Sequence, residues 1–208
     1  YDYIKSKLEK ITKENGPDAV AGISSARCTN EENYVFQKMI RAAIGTNNID
    51  CCARICHSPT AWGMQQTFGT GAATNSTEDI FHADLFLVIG ANPTNAHPVT
   101  GAKIKQQVMK GKKLIVLDPI ITDVAKLADY HIRLRPGTNV AVLNMMLYFI
   151  IESKLHKEDF ILSRTEGFEN FVKEIKKLDI DHLAKVAGVD KQLVKEAAIA
   201  YATAKNSM

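Results

Sequence analysis

The strongest constraint on this chain is an alternation of apolar runs in its middle third. Residues 85–89 and 113–117 are strand-length and apolar, and residues 98–110 between them read as a helix opened by Pro98 and stopped by Gly111. Two strands bridged by a helix make a βαβ unit, with parallel strands and a right-handed crossover. A short helix is predicted over residues 122–127, a third strand over 131–134, and a long apolar helix from Thr138 or Asn139 through Ile151. The expected fold class is therefore α/β: a Rossmann-like parallel sheet with flanking helices, an αβα sandwich. Residues 154–208 are predicted to be helical throughout. Asp190 caps the last of these helices, which has Leu193, Val194, Ala197 and Tyr201 on one side.

The first quarter is less regular. Ile4, Leu8 and Ile11 fall on one helical face, and Asn15-Gly16-Pro17 ends that helix. Residues 19–23 read as a short buried strand, 24–30 as a polar loop, and 31–44 as a helix ending at Gly45. Ser58 is predicted to cap a helix that has Pro59 in its first position and runs to Phe68, with Gly69 just beyond. The division expected is a segment of a first α/β domain over residues 1–50 and the Rossmann-like domain over 51–208.

A chain of 208 residues can bury an ample core without disulfides. Its 26 basic and 23 acidic side chains nearly balance at +3, with the lysines scattered over helical faces, so no nucleic-acid partner is expected. The longest apolar stretch, residues 140–151, falls short of the roughly 20 residues of a membrane span. No membrane span and a cytoplasmic setting are the expectations. The opening Tyr1, already within a helical pattern, leads us to expect a piece of a longer chain.

An open parallel sheet binds ligands at the carboxyl ends of its strands, which directs attention to residues 90–98, 118–122 and 135–139. Gly90-Ala91-Asn92-Pro93 carries little bulk, and Asn92, Asn95 and the helix start at Pro98 offer donors suited to phosphates. A simple polar turn is the competing reading. Asp118 ends the second strand where dinucleotide-binding folds place a carboxylate on a ribose or base edge, although an acid there is also a common cap. Arg135-Pro136-Gly137-Thr138-Asn139 offers a cation, a tight backbone approach and a helix start, against an ordinary strand-to-helix turn. Neither the glycine fingerprint of nicotinamide cofactors nor the P-loop pattern occurs, which argues against a simple NAD-binding domain.

Cys28, Cys51, Cys52 and Cys56 cluster in one third of the chain, a hint of metal or redox chemistry. Cys56-His57, just before a helix start, is the sharpest local feature: a positive helix end and an imidazole favour a thiolate, which ligates metals or attacks electrophiles. A buried structural cysteine is the bland alternative.

Taken together, Asn47-Asn48-Ile49-Asp50-Cys51-Cys52-Ala53-Arg54-Ile55-Cys56-His57-Ser58-Pro59 resembles the segment around the metal-ligating residue of molybdenum- or tungsten-dependent formate dehydrogenases. The resemblance extends through Ser24-Ser25-Ala26-Arg27-Cys28-Thr29-Asn30-Glu31, Gly90-Ala91-Asn92-Pro93, His97-Pro98, Asp118-Pro119 and Arg135-Pro136-Gly137-Thr138-Asn139, all in family order. It implies that Cys56 binds molybdenum or tungsten held by bis-molybdopterin guanine dinucleotide, and that His57 handles the proton released as formate becomes carbon dioxide. Asn92, Asn95, Asp118, Gly137 and Asn139 would contact one guanine dinucleotide, making residues 51–208 an incomplete pterin-guanine-dinucleotide-binding domain. Several relatives carry arginine after the Asp-Pro pair, where this chain has Ile120, which puts that contact in doubt. The family's [4Fe–4S] cysteine motif, formate-orienting arginine and C-terminal barrel are absent, so this chain alone is expected to be inactive. The implied partners are formate and carbon dioxide and an electron-transfer subunit, an iron–sulfur or flavin protein. A nitrate reductase or formylmethanofuran dehydrogenase type of enzyme, and a hydrolase with Cys56 as nucleophile, are the alternatives.

Overall fold

Helix α1 (Asp2–Asn15) stops at Gly16, which takes φ 82° and donates its N–H to the Thr12 carbonyl. Glycine alone adopts such an angle without steric cost. The computed structural model describes residues 1–208, which form two compact units, Tyr1–Thr74 and Asn75–Met208. In the first unit Pro17 opens a single 3-10 turn, Pro17–Ala19, so the predicted strand begins later than expected, as β1 (Gly22–Ser24). It pairs in parallel with β2 (Ile49–Cys51), from Gly22 opposite Ile49 to Ser24 opposite Cys51. The sequence reading has no counterpart for β2: three residues are too few to show a period.

Helix α2 (Asn30–Lys38) connects the two strands. It opens with a reciprocal cap in which Glu32 N–H donates to Thr29 Oγ1 (3.2 Å) and Thr29 N–H donates to Glu32 Oε2 (2.8 Å). It continues as a π-helical stretch, Met39–Ile44, which ends at Gly45 as the sequence predicts. After β2 come a one-turn helix, α3 (Ala53–Cys56), and α4 (Ser58–Phe68). Ser58 does not cap α4. It is the helix's first residue, His57 occupies the cap position, and no side chain caps the end. The segment carrying Cys56 is thus built with residues 1–74.

In the second unit the apolar runs form β3 (Leu85–Ile89), β4 (Lys113–Leu117) and β5 (Tyr130–Ile132), all parallel. The crossover after β3 carries the short α5 (Pro93–Ala96) and then α6 (Pro98–Met109). The short helix predicted at 122–127 shrinks to the 3-10 turn Ala125–Leu127, with Thr122 Oγ1 accepting from Ala125 N–H at 3.2 Å. After β5 come α7 (Asn139–Glu152), α8 (Glu158–Arg164), α9 (Phe168–Lys176), α10 (Ile180–Ala187) and α11 (Lys191–Thr203).

Alternation along the strands divides their side chains between two cores. Leu85, Ile115, Leu117 and Ile132 pack with Val142, Met145, Ala187, Val194 and Ala197 from α7, α10 and α11. Phe86, Leu114 and Val116 pack with Ile80, Ile104 and Val124 on the opposite face. Covered on both faces, the sheet is the αβα sandwich its unbroken apolar runs imply.

The chain is not helical to its last residue. Residues 206–208 run extended along the free edge of β3: Met208 N–H donates to the Leu85 carbonyl (2.9 Å) and Leu87 N–H to the Met208 carbonyl (2.8 Å). The spatial order becomes 206–208, β3, β4, β5. The connectivity therefore reverses at β3, and open α/β sheets bind ligands at the carboxyl ends beside such a reversal.

Candidate functional site

The carboxyl edge of the second unit's sheet is built by the loops that follow β3, β4 and β5. Gly90 leaves β3 at φ 56°, and the amide nitrogen of Asn139, first residue of α7, lies 3.8 Å from where a Cβ on Gly90 would sit. The loops predicted from separate stretches of sequence therefore meet. Gly101 on α6 is buried against the same loop: a Cβ there would stand 2.9 Å from the Pro93 carbonyl and the Thr94 nitrogen. Only glycine lets α6 approach the backbone of α5 so closely.

Asn92 precedes α5, and its carbonyl accepts from Asn95 N–H (3.1 Å) and Ala96 N–H (3.0 Å). Its side-chain oxygen is buried without a partner, as is the hydroxyl of Thr94. Buried polar atoms are nearly always satisfied, so two orphans in one strand-end loop are unusual. Thr94 was not singled out from the sequence, because a lone threonine in a turn carries no signal of its own. Asn95 and Asn139 are exposed, and Gly137 takes φ 84° with open space around it.

Asp118 closes β4 and is only 7% exposed. Its Oδ1 accepts from Ile120 N–H at 3.0 Å, and its backbone carbonyl lies 3.0 Å from His131 Nε2. Arg135 does not serve this edge as the sequence suggests. Its guanidinium turns to the C-terminus of α10, donating from Nη1 to the carbonyls of Lys185 (3.0 Å) and Val186 (3.2 Å), where a cation complements the helix dipole.

In the first unit, Cys56 is the last residue of α3 and His57 is the junction with α4. Both are exposed, so Cys56 is not a buried structural cysteine. Its turn is anchored from β2: Asp50 Oδ2 accepts from Arg54 Nε (2.7 Å), and Asp50 Oδ1 accepts from Cys51 N–H (2.8 Å). The Arg54 hydrogen bond, then that N–H, holds the Asp50 carboxyl below the usual range. All four cysteines are free, and no three metal-binding side chains converge on one point. Cys52, which the sequence offers only as one member of the cysteine cluster, has its thiol held below the ordinary value. The backbone N–H of Ala26 lowers it most, and the Cys51 and Ser25 side chains and the Ala53 N–H add to this against the opposing effect of burial.

A hollow of about 620 Å³ lies in the first unit against the apolar faces of α1 and the π-helical stretch, among Ile4, Leu8, Met39 and Ala43. It contains none of these candidate groups.

A parallel sheet covered on both faces, with a glycine turn, orphaned polar atoms and a buried carboxylate along its carboxyl edge, defines a Rossmann-like α/β protein. Within that class the chain belongs to the molybdopterin oxidoreductase family, which it matches over residues 1–201. The F420-dependent formate dehydrogenase subunit alpha of Methanocaldococcus jannaschii is 47% identical over 190 residues, 91% of this chain and 28% of that protein. Formate dehydrogenase H of Escherichia coli is 41% identical over 207 residues, 99% of this chain and 29% of that protein. Among solved structures, acetylene hydratase from Pelobacter acetylenicus superposes with a TM-score of 0.72 at 28% identity, over 99% of this chain and 28% of that one. The chain thus spans under a third of the length of these relatives.

Proposed function

We propose that this chain is the part of a formate dehydrogenase catalytic subunit that supplies the metal-ligating thiolate and one cradle for a pterin guanine dinucleotide. The observation that carries this reading is the 41–47% identity, over 91–99% of the chain, to proteins named formate dehydrogenases. The orphaned Asn92 and Thr94 oxygens, the Gly90 turn and buried Asp118 fit a ligand bearing phosphates, ribose hydroxyls and a base.

In this reading Asn92, Asn95, Asp118, Gly137 and Asn139 hold one dinucleotide, joined by Thr94. Cys56 presents its thiolate to the metal, a soft ligand for a soft centre. When bound, molybdenum or tungsten carried by bis-molybdopterin guanine dinucleotide supplies the acceptor for the two electrons that formate loses. His57 takes the single proton released as formate becomes carbon dioxide, a task suited to an imidazole nitrogen, which can accept and pass on a proton. A [4Fe–4S] cluster borne by another segment, and an iron–sulfur or flavin partner subunit, carry the electrons away. A cytoplasmic location belongs to the same proposal. In the structure itself, no helix is long and apolar enough to cross a membrane.

The test is metal and pterin analysis of the catalytic subunit carrying this segment, wild type beside Cys56→Ala. We expect metal and guanine dinucleotide in the wild type, and formate oxidation lost in the variant. Active wild-type protein without metal or pterin overturns the reading and leaves Cys56 as a nucleophile. Bound metal and pterin without formate turnover favours a related molybdopterin enzyme acting on another substrate, a second reading that draws on the likeness to acetylene hydratase. At 28% identity that likeness is the weaker of the two.

A further inference from the structure

Three observations converge on the corner of the sheet where β4 and β5 end. Asp118 is more than nine-tenths buried, yet its carboxylate accepts one hydrogen bond from the chain, to Oδ1 from Ile120 N–H, and its Oδ2 accepts none. Arg133, the residue after β5, is exposed and forms no ion pair; its Nε reaches the Pro119 carbonyl at 3.4 Å, which draws the guanidinium toward the Asp118 loop and leaves the outer Nη donors free. Ile120 and Ile121, 61% and 56% exposed, set two apolar side chains in the same loop. One corner thus offers an acceptor-only group, a planar donor-only fork and an apolar surface.

The fold says which part of a dinucleotide reaches that corner. In a sheet of this connectivity the phosphates lie over the glycine turn after the first strand, here Gly90, and the ribose and base extend past the carboxylate at the end of the second, here Asp118. The base therefore lies toward β5. We infer that Arg133 reads that base and makes this edge selective for guanine over adenine. Guanine presents O6 and N7 as two adjacent acceptors, which an arginine fork meets bidentately, and its remaining polar edge carries N–H donors for a carboxylate. Adenine puts an amino donor where guanine has O6, opposing the guanidinium, and lacks the N1–H that Asp118 would accept. With Arg135 committed to the end of α10 and an isoleucine at position 120, Arg133 is the arginine left to serve this corner.

This inference rests on the guanine-dinucleotide reading above, and the test separates the two. Calorimetric titration of the full chain with GDP and with ADP is run for the wild type, Arg133→Ala, Arg133→Lys and the double variant Arg133→Ala/Ile120→Arg. Acid hydrolysis of the cofactor-loaded catalytic subunit then measures the GMP released per subunit. We expect wild type to prefer GDP, and Arg133→Ala to lose about tenfold in GDP affinity, the low end of a bidentate arginine–guanine contact, with ADP unchanged. Arg133→Lys keeps the charge without the fork, so its GDP-to-ADP ratio should stay at the alanine level, whereas Ile120→Arg restores part of the preference. The melting temperature without ligand should not move, since Arg133 is exposed. An Arg133→Ala chain with the wild-type GDP-to-ADP ratio overturns this inference alone, as does a Lys variant that regains the ratio, which would make the contact mere charge. A loaded wild-type subunit that releases no GMP overturns the dinucleotide reading, and this inference with it.

Discussion

The two compact units place their candidate chemistry in opposite ways. In the second, the carboxyl edge grows out of a sheet sealed on both faces, so Asp118 inherits its place from Leu117, which is fully buried immediately before it. In the first, Cys56 sits on a one-turn helix with no buried residue of its own, anchored by an ion pair between Asp50 and Arg54 whose side chains are both more than half exposed. The candidate binding groups rest on a sheet buried on both faces, and the candidate thiol stands on an exposed surface turn. Where little packs against a residue, its replacement leaves the fold intact and its effect is confined to chemistry.

That contrast is broken or upheld most directly by Cys56→Ala. Formate oxidation by the loaded subunit should fall to background, while urea unfolding of the chain shifts by less than about 0.5 kcal/mol, as for exposed positions generally. A variant that unfolds easily would show that Cys56 is structural and that the two regions do not differ. The converse substitution is Leu117→Ala. Emptying that position in a closed core should cost ~2–5 kcal/mol in urea denaturation, and should weaken nucleotide binding by loosening Asp118. A cost below about 1 kcal/mol would mean that the edge does not depend on the core beneath it.

How much of this was legible in the sequence follows the same line. The strands β3 and β4, their crossover and the long α7 were readable because apolar runs, Pro98, Gly111 and the start at Asn139 all point one way. Both Gly90 and Asn139 could be named from their strand-end positions, and the structure brings them together. What the sequence hid was decided by tertiary contact. The extended segment at residues 206–208 is held because β3 offers a free edge, and β2 exists because β1 does. Likewise, Arg135 looked like a ligand contact until α10, some fifty residues later in the chain, claimed its guanidinium. Thr94 was missed, and Cys52 was not told apart from the other clustered cysteines, because their surroundings and not their neighbours in sequence set them apart.

Gly101→Ala gives a smaller effect on the second unit. The added methyl would press on the backbone of Pro93 and Thr94 at 2.9 Å, contacts that no side-chain rotation relieves. Overpacking of this kind costs ~1–3 kcal/mol, and because the displaced backbone carries Asn92, nucleotide retention should fall along with stability. Unchanged binding with reduced stability would separate the loop from the site.

The smallest expected effect sharpens the comparison from the first unit's side. Cys52 carries the one thiol that the structure visibly tunes, chiefly through the Ala26 N–H. Its folded pKa is depressed, so the thiolate is favoured by folding. Any linked stability is therefore full above the unfolded value and is lost as pH falls through the folded one. Alkylation by iodoacetamide, followed by peptide mass spectrometry, should give Cys52 a midpoint below that of an unstructured cysteine peptide, returning to the peptide value in urea. The Ala26 N–H cannot be removed by changing that side chain, but Ser25→Ala deletes a lesser donor and should raise the midpoint only slightly. If the folded and unfolded midpoints coincide, the loop of residues 25–28 does not hold Cys52 in solution. The first unit's ordered edge would then reduce to the Asp50–Arg54 anchor beneath Cys56.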